Sequence, residues 1–439
     1  STRDWSSDVC SSDLNTLEHL YAELGERICL YPFFGAFYQT NNVIPIEQQS
    51  KPNSVRPCSI VMAEDWAKWD ITSGSITEAR NSPAWREMRT AMLEGRMHEV
   101  FDCRSCAYNE QSGTTSPRQM NNKFYTEFLD IDIVEEVKAI AANDNTVKDI
   151  ITLDYYPSNY CNYSCVMCAG GASSQRQVYE VKVLGRREKI VLNQADPDFY
   201  DVLRRVEIIN FTGGETALQK EVLAVMDWFI EQDLAENVLI TMLTNASSSP
   251  NHLLDRFKHF KKVIYNVSVD GTKRVIEYQR RGCTWATVDA NTAILMNHKD
   301  ITCVINYVLT AINVFTAMDF VDWAYHNQYG TKHEYDTCQY LTISPVFRLD
   351  FLGVAALPPE LRTIALERLY AGRERYTAIQ ASPMVASMIA TIDKFISVIE
   401  STEHNPAYIQ EFVEYIRKED SASKQTLVEV VPEWAGYFN

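Results

Sequence analysis

The feature of this 439-residue sequence that most constrains its fold is a regular alternation of strand-like and helical segments after residue 148. Short β-branched runs are separated by amphipathic stretches such as Leu218–Glu231, whose apolar residues recur at helical spacing. Strands that alternate with helices predict βαβ units and a parallel sheet. Six such runs are fewer than the eight strands of a closed barrel. The predicted strands are Ile150–Tyr156, Val206–Phe211, Val238–Thr244, Val263–Val269, Thr302–Thr310 and Tyr340–Val346.

Composition and charge narrow the class of protein. Hydrophobic residues make up 46% of the chain, which is enough for a well-buried core and excludes a disordered protein. With 58 acidic and 41 basic residues the net charge is −17, which argues against bulk binding to nucleic acid or anionic membranes. The uncharged run 301–318 predicts a buried strand and loop rather than a membrane span. Without a recognisable secretory segment, we expect a cytoplasmic protein in which residues 1–14 are a non-native or disordered leader.

Three cysteines lie within eight residues, as Cys161, Cys165 and Cys168 in the string CNYSCVMC. Disulfides are rare in large cytosolic proteins, so a tight cluster of this kind indicates metal binding or redox chemistry. Three thiolates are one too few for a closed zinc site or a fully ligated four-iron cluster. No further Cys or His follows within fifteen residues. A four-iron cluster held here would keep one iron open to an exogenous ligand, with zinc as the alternative.

Polar and glycine-rich turns follow five of the predicted strands. In parallel barrels the chemistry lies on the loops at the carboxyl ends of the strands. The second strand ends in Gly213, Gly214 and Glu215, where the glycines permit close backbone approach and the glutamate can accept from an ammonium group. The third strand ends in Thr244 and Asn245, and the fourth ends in Ser268 and Asp270, with Arg280 further along. Asn313 comes after the fifth strand.

The cysteine loop and these strand ends together resemble the core of the radical SAM superfamily, over residues 148–350. The resemblance implies an α/β fold with a partial (β/α)6 TIM-like barrel. It also implies a [4Fe–4S] cluster on the three cysteines and S-adenosylmethionine (SAM), whose amino and carboxylate groups chelate the open iron. Gly213, Gly214 and Glu215 would hold the SAM amino group. Tyr163 and Met167 fit the loop pattern of the family loosely.

The same resemblance implies roles for residues later in the chain. Ser268 and Asp270 match the segment that contacts the ribose or carboxylate of SAM. Arg280 is a candidate partner for a carboxylate, and Asn313 falls where a polar group near the adenine or ribose is expected. The alternatives are a plain turn at Asp270–Gly271 and a solvated helix end at Arg280. The resemblance assigns no catalytic residue.

Four further cysteines precede this core. Cys29 and Cys58 stand apart, whereas Cys103 and Cys106 form a C-x-x-C pair. The layout over residues 15–147 resembles the twitch or SPASM-like auxiliary-cluster segment of some radical SAM proteins, particularly phage and environmental ones. It departs from that pattern because Ser59, not a second cysteine, follows Cys58. The resemblance implies a second [4Fe–4S] cluster on the four thiolates, while a four-cysteine zinc site has the same ligands.

Residues 351–439 carry long helical patterns and are expected to form a C-terminal cap that shapes the substrate pocket. Three isolated cysteines, Cys283, Cys303 and Cys338, are expected to be buried apolar side chains rather than catalytic thiols. One of them would be a hydrogen-atom donor only if the chain worked like some epimerases of the superfamily.

The radical SAM resemblance implies an oxidoreductase-type enzyme. A flavodoxin-like or ferredoxin-like donor would reduce the cluster, and SAM would be cleaved to methionine and a 5′-deoxyadenosyl radical. That radical would abstract hydrogen from a peptide or small-metabolite substrate, in an oxidation or an epimerisation. Two alternatives stay open: a zinc-bound structural or interaction protein, and a radical SAM enzyme that modifies RNA.

Overall fold

The computed structural model describes residues 16–45, 47–48, 51–61, 66–72, 74–111, 115–329, 341–346, 349–423 and 425–438. The predicted leader 1–14, Gly113 and Cys338 lie outside these residues. The chain forms two compact units. The first unit comprises Ser1–Asn42, Gln49–Pro157 and Val191–Asn210, and the second comprises Val43–Gln48, Ser158–Ile190 and Phe211–Asn439. The domain boundaries expected from the sequence stay predictions.

The six strands predicted from the sequence are present as β4, β7, β8, β9, β11 and β12, with ends that differ by one or two residues. Differences of this size are usual at strand ends. The strands of the described residues are β1 (Gly35–Gln39), β2 (Asn41–Pro45), β3 (Ser54–Arg56), β4 (Thr152–Tyr156), β5 (Ser164–Cys165), β6 (Glu188–Leu192), β7 (Ile208–Phe211), β8 (Leu239–Thr244), β9 (Lys262–Ser268), β10 (Arg280–Arg281), β11 (Thr302–Leu309) and β12 (Leu341–Pro345).

Helices separate most of these strands. Those before the cysteine loop are α1 (Leu17–Leu24), α2 (Tyr31–Phe34), α3 (Ile76–Arg80), α4 (Pro83–Leu93), α5 (Arg104–Gln111), α6 (Pro117–Phe128) and α7 (Ile133–Ala142). Those after it are α8 (Ser174–Val183), α9 (Phe199–Leu203), α10 (Lys220–Glu231), α11 (Asn251–Phe257), α12 (Lys273–Gln279), α13 (Trp285–Met296), α14 (Ala317–His326), α15 (Pro359–Thr377), α16 (Pro383–Ser401), α17 (Pro406–Ser421) and α18 (Leu427–Val430).

The sheet of the second unit has the strand order β12-β11-β9-β8. Each neighbouring pair is parallel, with Ile305 opposite Leu341 and Thr302 opposite Ile264. An α/β fold with a parallel sheet is therefore confirmed. Closure of the strands into a partial barrel remains a prediction.

Helix α10 illustrates how an apolar sequence pattern corresponds to a buried helix face in the second unit. Its buried residues are Val222, Val225, Met226 and Phe229. They recur at three- and four-residue spacing, which places them on one face of the helix. The apolar stripe that indicated a helix in the sequence is thus the face buried against the core.

The strands of the first unit follow the order β7-β4-β1-β3. Strand β1 is parallel to β4 and antiparallel to β3, with Tyr38 opposite both Tyr155 and Val55. Tyr38 stacks on Tyr155 at 5.8 Å between ring centroids. Strand β4 is the last element before the three-cysteine loop along the chain.

The C-terminal region is helical, as predicted. Helices α15, α16 and α17 each begin at a proline, a residue favoured in the first helical turn. Helix α16 buries an apolar stripe that includes Met388, Ile392 and Phe395. Within the described ranges, no helix is both long enough and apolar enough to cross a bilayer. The uncharged run 301–318 contains β11, as expected.

A buried arginine ties together the strand and helix ends of the first unit. The guanidinium of Arg80, at the end of α3, is 1% exposed. It donates to the carbonyl oxygens of Gly35 at 3.2 Å, Asp149 at 2.6 Å and Phe33 at 2.6 Å. These carbonyls come from three separate segments, so one side chain holds the start of β1 and the approach to β4.

Replacement of Arg80 by methionine should therefore destabilise the first unit strongly. Arg80→Met leaves three carbonyl groups without their donor, and we expect the free energy of unfolding to fall by about 3 kcal/mol. Urea denaturation followed by circular dichroism measures this loss. Arg86→Met is the control, because its partner Asp144 is highly exposed and the pair contributes little. Equal urea midpoints for the two variants would contradict the prediction.

Candidate functional site

The loop of the first three cysteines is held in place by a short strand pair in the second unit. Strand β5 is antiparallel to β10, with Cys165 opposite Arg280. The backbone N–H of Val166 donates to the carbonyl of Gln279 at 2.8 Å. The N–H of Cys168 donates to the carbonyl of Cys165 at 3.1 Å, which closes the turn between these two cysteines.

The three thiols lie in one cluster of side chains. Cys161 and Cys165 are buried and pack with Tyr163, while Cys168 and Met167 contact the cluster from its edge. Burial raises the pKa of all three thiols, to about 11 for Cys168. These thiols are therefore protonated near neutral pH in the metal-free chain, and metal binding must displace their protons.

Positive charge and an N–H donor oppose this effect of burial. The guanidinium of Arg280 favours the thiolate of Cys165, and that of Arg176 favours the thiolate of Cys168. The backbone N–H of Tyr163 donates to the sulfur of Cys161 at 3.5 Å. Cationic and hydrogen-bonding surroundings of this kind stabilise thiolates and tune clusters that they ligate.

The glycine-rich turn after β7 packs against the residues that enter the cysteine loop. The N–H of Gly214 donates to the carbonyl of Ser158 at 3.0 Å, and that of Glu215 donates to the carbonyl of Tyr160 at 2.8 Å. A Cβ atom on Gly214 would lie 2.1 Å from the Tyr160 carbonyl oxygen, so only glycine fits. Gly213 has a φ of +120°, which also favours glycine.

The carboxylate of Glu215 joins this turn to the end of β8. It is 1% exposed and accepts from the Thr244 hydroxyl at 2.7 Å and from the Asn245 N–H at 2.6 Å. The N–H of Ala217 also donates to it, at 3.2 Å. Burial raises the pKa of Glu215, and these three donors oppose the shift.

Asn245 is a site residue that the sequence analysis noted only as the end of a strand. Its amide Nδ2 lies 3.7 Å from the Cys161 sulfur and 3.1 Å from the Asn162 side-chain oxygen. Asn245 therefore connects Glu215 to the cysteine loop. Its position directly after β8 was the available signal, but the contact with Cys161 spans 84 positions of sequence.

A second group of predicted residues surrounds Asp270. The Asp270 carboxylate is fully buried and pairs with Arg280, whose Nε donates at 2.7 Å. Its other oxygen accepts from the N–H of Val308 at 2.8 Å. Asn313 donates from Nδ2 to the Asp270 and Val308 carbonyls at 3.0 and 2.8 Å. These contacts brace the ends of β9 and β11, while Ser268 is partly exposed on β9.

The four N-terminal cysteines line a single pocket in the first unit. They come from separate elements, which are the turn before α2, the segment two residues beyond β3, a 3₁₀ turn and helix α5. The thiols also influence one another, since the other three raise the pKa of Cys103 further after burial has raised it. The residues of this four-cysteine pocket are Cys29, Cys58, Cys103 and Cys106.

Backbone N–H groups point at three of these four sulfurs. Burial raises the pKa of Cys29 to about 12, and the N–H of Tyr31 opposes the shift. The N–H of Ile60 acts in the same way on Cys58, and that of Arg118 on Cys106. Such donors stabilise the thiolate forms that bind metals.

Arg118 fixes the relative positions of the Cys29 and Cys106 segments. Its guanidinium is 4% exposed and donates to the carbonyl of Ile28 at 2.6 Å. It also forms a two-pronged pair with the carboxylate of Glu110, at 2.8 and 2.9 Å. Ser116 donates to the same carboxylate at 2.5 Å. This network surrounds the pocket with fixed polar contacts.

Neither group of cysteines is drawn tightly around one point. Among the side chains that the structure describes, no three from His, Cys, Asp and Glu converge closely enough to hold one metal ion.

Of the isolated cysteines, Cys303 is buried in β11, and Cys283 packs against the three-cysteine loop. Sequence reasoning missed the contact of Cys283 with the loop.

Replacement of Gly214 by alanine should disrupt the three-cysteine loop. The new methyl group would overlap the Tyr160 carbonyl, and we expect a loss of stability of about 2 kcal/mol. Thermal unfolding of the metal-free chain and iron uptake at the loop measure the effect. Gly436→Ala is the matched control, because a Cβ there would meet nothing within 4 Å. Unchanged unfolding and iron uptake in Gly214→Ala would refute the close approach.

Comparison with known proteins places one part of this chain in a family. Residues 155–324 match the model of the radical SAM superfamily. No curated protein shows a significant match to the sequence.

Two solved structures of SuiB from Streptococcus suis are similar to the chain. SuiB bound to precursor peptide SuiA has a TM-score of 0.36 at 14% identity, covering 61% of this chain and 59% of SuiB. SuiB bound to S-adenosylmethionine has a TM-score of 0.35 at 13% identity, covering 66% of this chain and 62% of SuiB. The chain thus spans less than two thirds of either SuiB chain. Residues 155–324 therefore carry a radical SAM superfamily domain.

Proposed function

We propose that this chain is a radical SAM enzyme whose SAM-binding [4Fe–4S] cluster is held by Cys161, Cys165 and Cys168. The observation that carries the proposal is the gathering of these three thiols on one loop in the matched domain. Three thiolates leave one iron open for an exogenous ligand. When bound, cluster and SAM would supply a 5′-deoxyadenosyl radical that abstracts hydrogen from the substrate.

The surroundings of Glu215 support a role in binding the SAM amino group. An ionised carboxylate offers about four acceptor positions. Oε1 of Glu215 accepts from Thr244 and Ala217, whereas Oε2 accepts from Asn245. Oε2 thus keeps a position for an ammonium donor. Gly213 and Gly214 would place this carboxylate beside the loop without a side chain in the way.

Asp270, Arg280 and Asn313 would act at the ribose, carboxylate or adenine end of SAM, together with Ser268. The Arg280–Asp270 pair would hold the strand ends that border the SAM site. Asn313 would hold the backbone that carries Asp270. Asn245 would orient Cys161 and the backbone next to Glu215.

We propose a second, auxiliary [4Fe–4S] cluster in the four-cysteine pocket, in a twitch or SPASM-like segment. Four thiols that line one pocket support a cluster of several irons. A single zinc ion binds sulfur at about 2.3 Å and needs its ligands drawn closely around one point. The resemblance to a twitch or SPASM-like segment is what favours the cluster over a zinc ion on the same four thiols.

The substrate class that we propose is a peptide or a small metabolite, with a flavodoxin-like or ferredoxin-like protein as reductant. A fully ligated second cluster would serve as an electron acceptor, which favours oxidation, although the class includes epimerisation. The net charge of −17 disfavours the alternative of an RNA substrate. Salt-sensitive RNA binding at micromolar concentration would revive that alternative.

Metal analysis of three matched proteins tests both cysteine sites. The wild type, a Cys161/Cys165/Cys168→Ala variant and a Cys29/Cys58/Cys103/Cys106→Ala variant are reconstituted anaerobically and assayed for iron, sulfide and zinc. We expect about eight irons per wild-type chain and about four in each variant. Cys303→Ala is the control, since this thiol is buried away from both sites.

Formation of 5′-deoxyadenosine separates the roles of the two sites. 5′-Deoxyadenosine should not form in the Cys161/Cys165/Cys168→Ala variant. It should still form in the Cys29/Cys58/Cys103/Cys106→Ala variant. Zinc without iron in the wild type would exclude the radical enzyme in favour of a zinc-bound structural protein. About four irons together with one zinc would keep the enzyme and make the four-cysteine pocket a structural zinc site.

A further inference from the structure

A carboxylate on the C-terminal helix α17 is buried between two arginines. Glu419 has no exposed surface and accepts from Arg176, at 2.8 Å to Oε1 and 3.1 Å to Oε2. Arg281 approaches the same carboxylate at 2.7 Å and also donates to the Glu419 carbonyl at 2.7 Å. An unpaired buried carboxylate would strongly destabilise the folded chain. The fold therefore keeps Glu419 in contact with these arginines.

Both arginines belong to segments that hold the three-cysteine loop. Arg176 lies in the first turn of α8, where Ser173 donates to the Tyr163 carbonyl at 2.5 Å and Ser174 donates to the Cys161 carbonyl at 3.1 Å. Arg281 lies in β10, the strand that pairs with β5 of the loop. Glu419 is therefore bound to the helix that follows the loop and to the strand beside it.

Tyr415 makes a direct contact with the loop. Its hydroxyl donates to the carbonyl of Val166 at 2.7 Å and accepts from Arg176. Val166 lies between the second and third cysteines, so this bond fixes the turn on which their sulfurs are arranged. Residues 415 and 419 are one helical turn apart and share one face of α17.

We propose that Tyr415 and Glu419 are positioning residues for the three-cysteine loop, through which α17 sets the geometry and the charge around a bound cluster. This inference rests on the proposed function. It gives the C-terminal helices a role at the cysteine loop, in addition to the substrate cap expected from the sequence.

Two substitutions separate geometry from charge. Tyr415→Phe removes one oxygen and leaves every charge in place, so the hydrogen bond to Val166 is lost together with the acceptor for Arg176. Glu419→Gln keeps the shape of the side chain but removes the negative charge that Arg176 and Arg281 share, which leaves Arg176 with Glu180 at 3.8 Å. Because positive charge stabilises the more reduced form of a nearby cluster, Glu419→Gln should raise its reduction potential.

The experiment uses the full-length chain after anaerobic reconstitution. Iron release to a ferrous chelator and the midpoint potential of the SAM-responsive EPR signal are measured for each variant. We expect Tyr415→Phe to release iron from this cluster about tenfold faster, as for the loss of one buried hydrogen bond, with little change in potential. We expect Glu419→Gln to shift the potential to more positive values. Tyr408→Phe and Glu411→Gln, on the same helix, are the matched controls and should behave as the wild type.

The outcomes distinguish this inference from the proposed function. If the wild type shows a SAM-responsive signal but Tyr415→Phe and Glu419→Gln match their controls in both measurements, the positioning role is refuted and the proposed function stands. If the wild type shows no SAM-responsive iron signal, the proposed function itself fails. Should Glu419→Gln not fold, Tyr415→Phe alone decides, because it removes a single oxygen atom.

Discussion

The parallel direction of β8, β9 and β11 is the constraint on which the candidate SAM site depends. Strands that run the same way bring their carboxyl ends to one edge of the sheet. Residues directly after these strands can therefore bond to one another without a ligand. Asn245 after β8 meets Glu215, and Asp270 after β9 meets Val308 and Asn313. The edge is preorganised because each strand end is held by its neighbour.

Buried charges around this edge are kept in pairs. Asp270 pairs with Arg280, and Glu419 pairs with Arg176 and Arg281. An isolated charge in these positions would be expensive, whereas a hydrogen-bonded pair recovers much of the cost. The thiols of the three-cysteine loop differ from these paired charges, because burial favours their neutral, protonated form. A bound metal centre would add the positive charge that makes thiolates stable there.

Strand periodicity and the local spacing of cysteines could be predicted from the sequence, because neighbouring residues determine both. The six strands and the C-terminal helices followed directly from such patterns. The grouping of Cys161, Cys165 and Cys168 could also be predicted, since one short loop contains them. The shared role of the four N-terminal cysteines rests on resemblance and stays a prediction, although all four line one pocket.

Contacts between distant positions could not be predicted in this way. Nothing in the local sequence of Arg280 indicates that its guanidinium pairs with Asp270 rather than with a ligand. The contact of Asn245 with Cys161 and that of Glu419 with Arg176 depend on the tertiary fold. Residues that support a site but lie far from it in sequence are therefore the most difficult to predict. Residues on the site loop itself can be recognised as a sequence motif.

The distance along the chain between the cysteine loop and its helix α17 partners has a consequence for biosynthesis. Arg176 and Glu419 are 243 positions apart. At ribosomal rates of about 5–20 residues per second, the loop emerges on the order of tens of seconds before the helix that holds it. During that interval its thiols lack their final support and are open to oxidation or to the wrong metal. Maturation of the site is thus coupled to completion of the C-terminal region, and the nascent chain needs a reducing environment until α17 is in place.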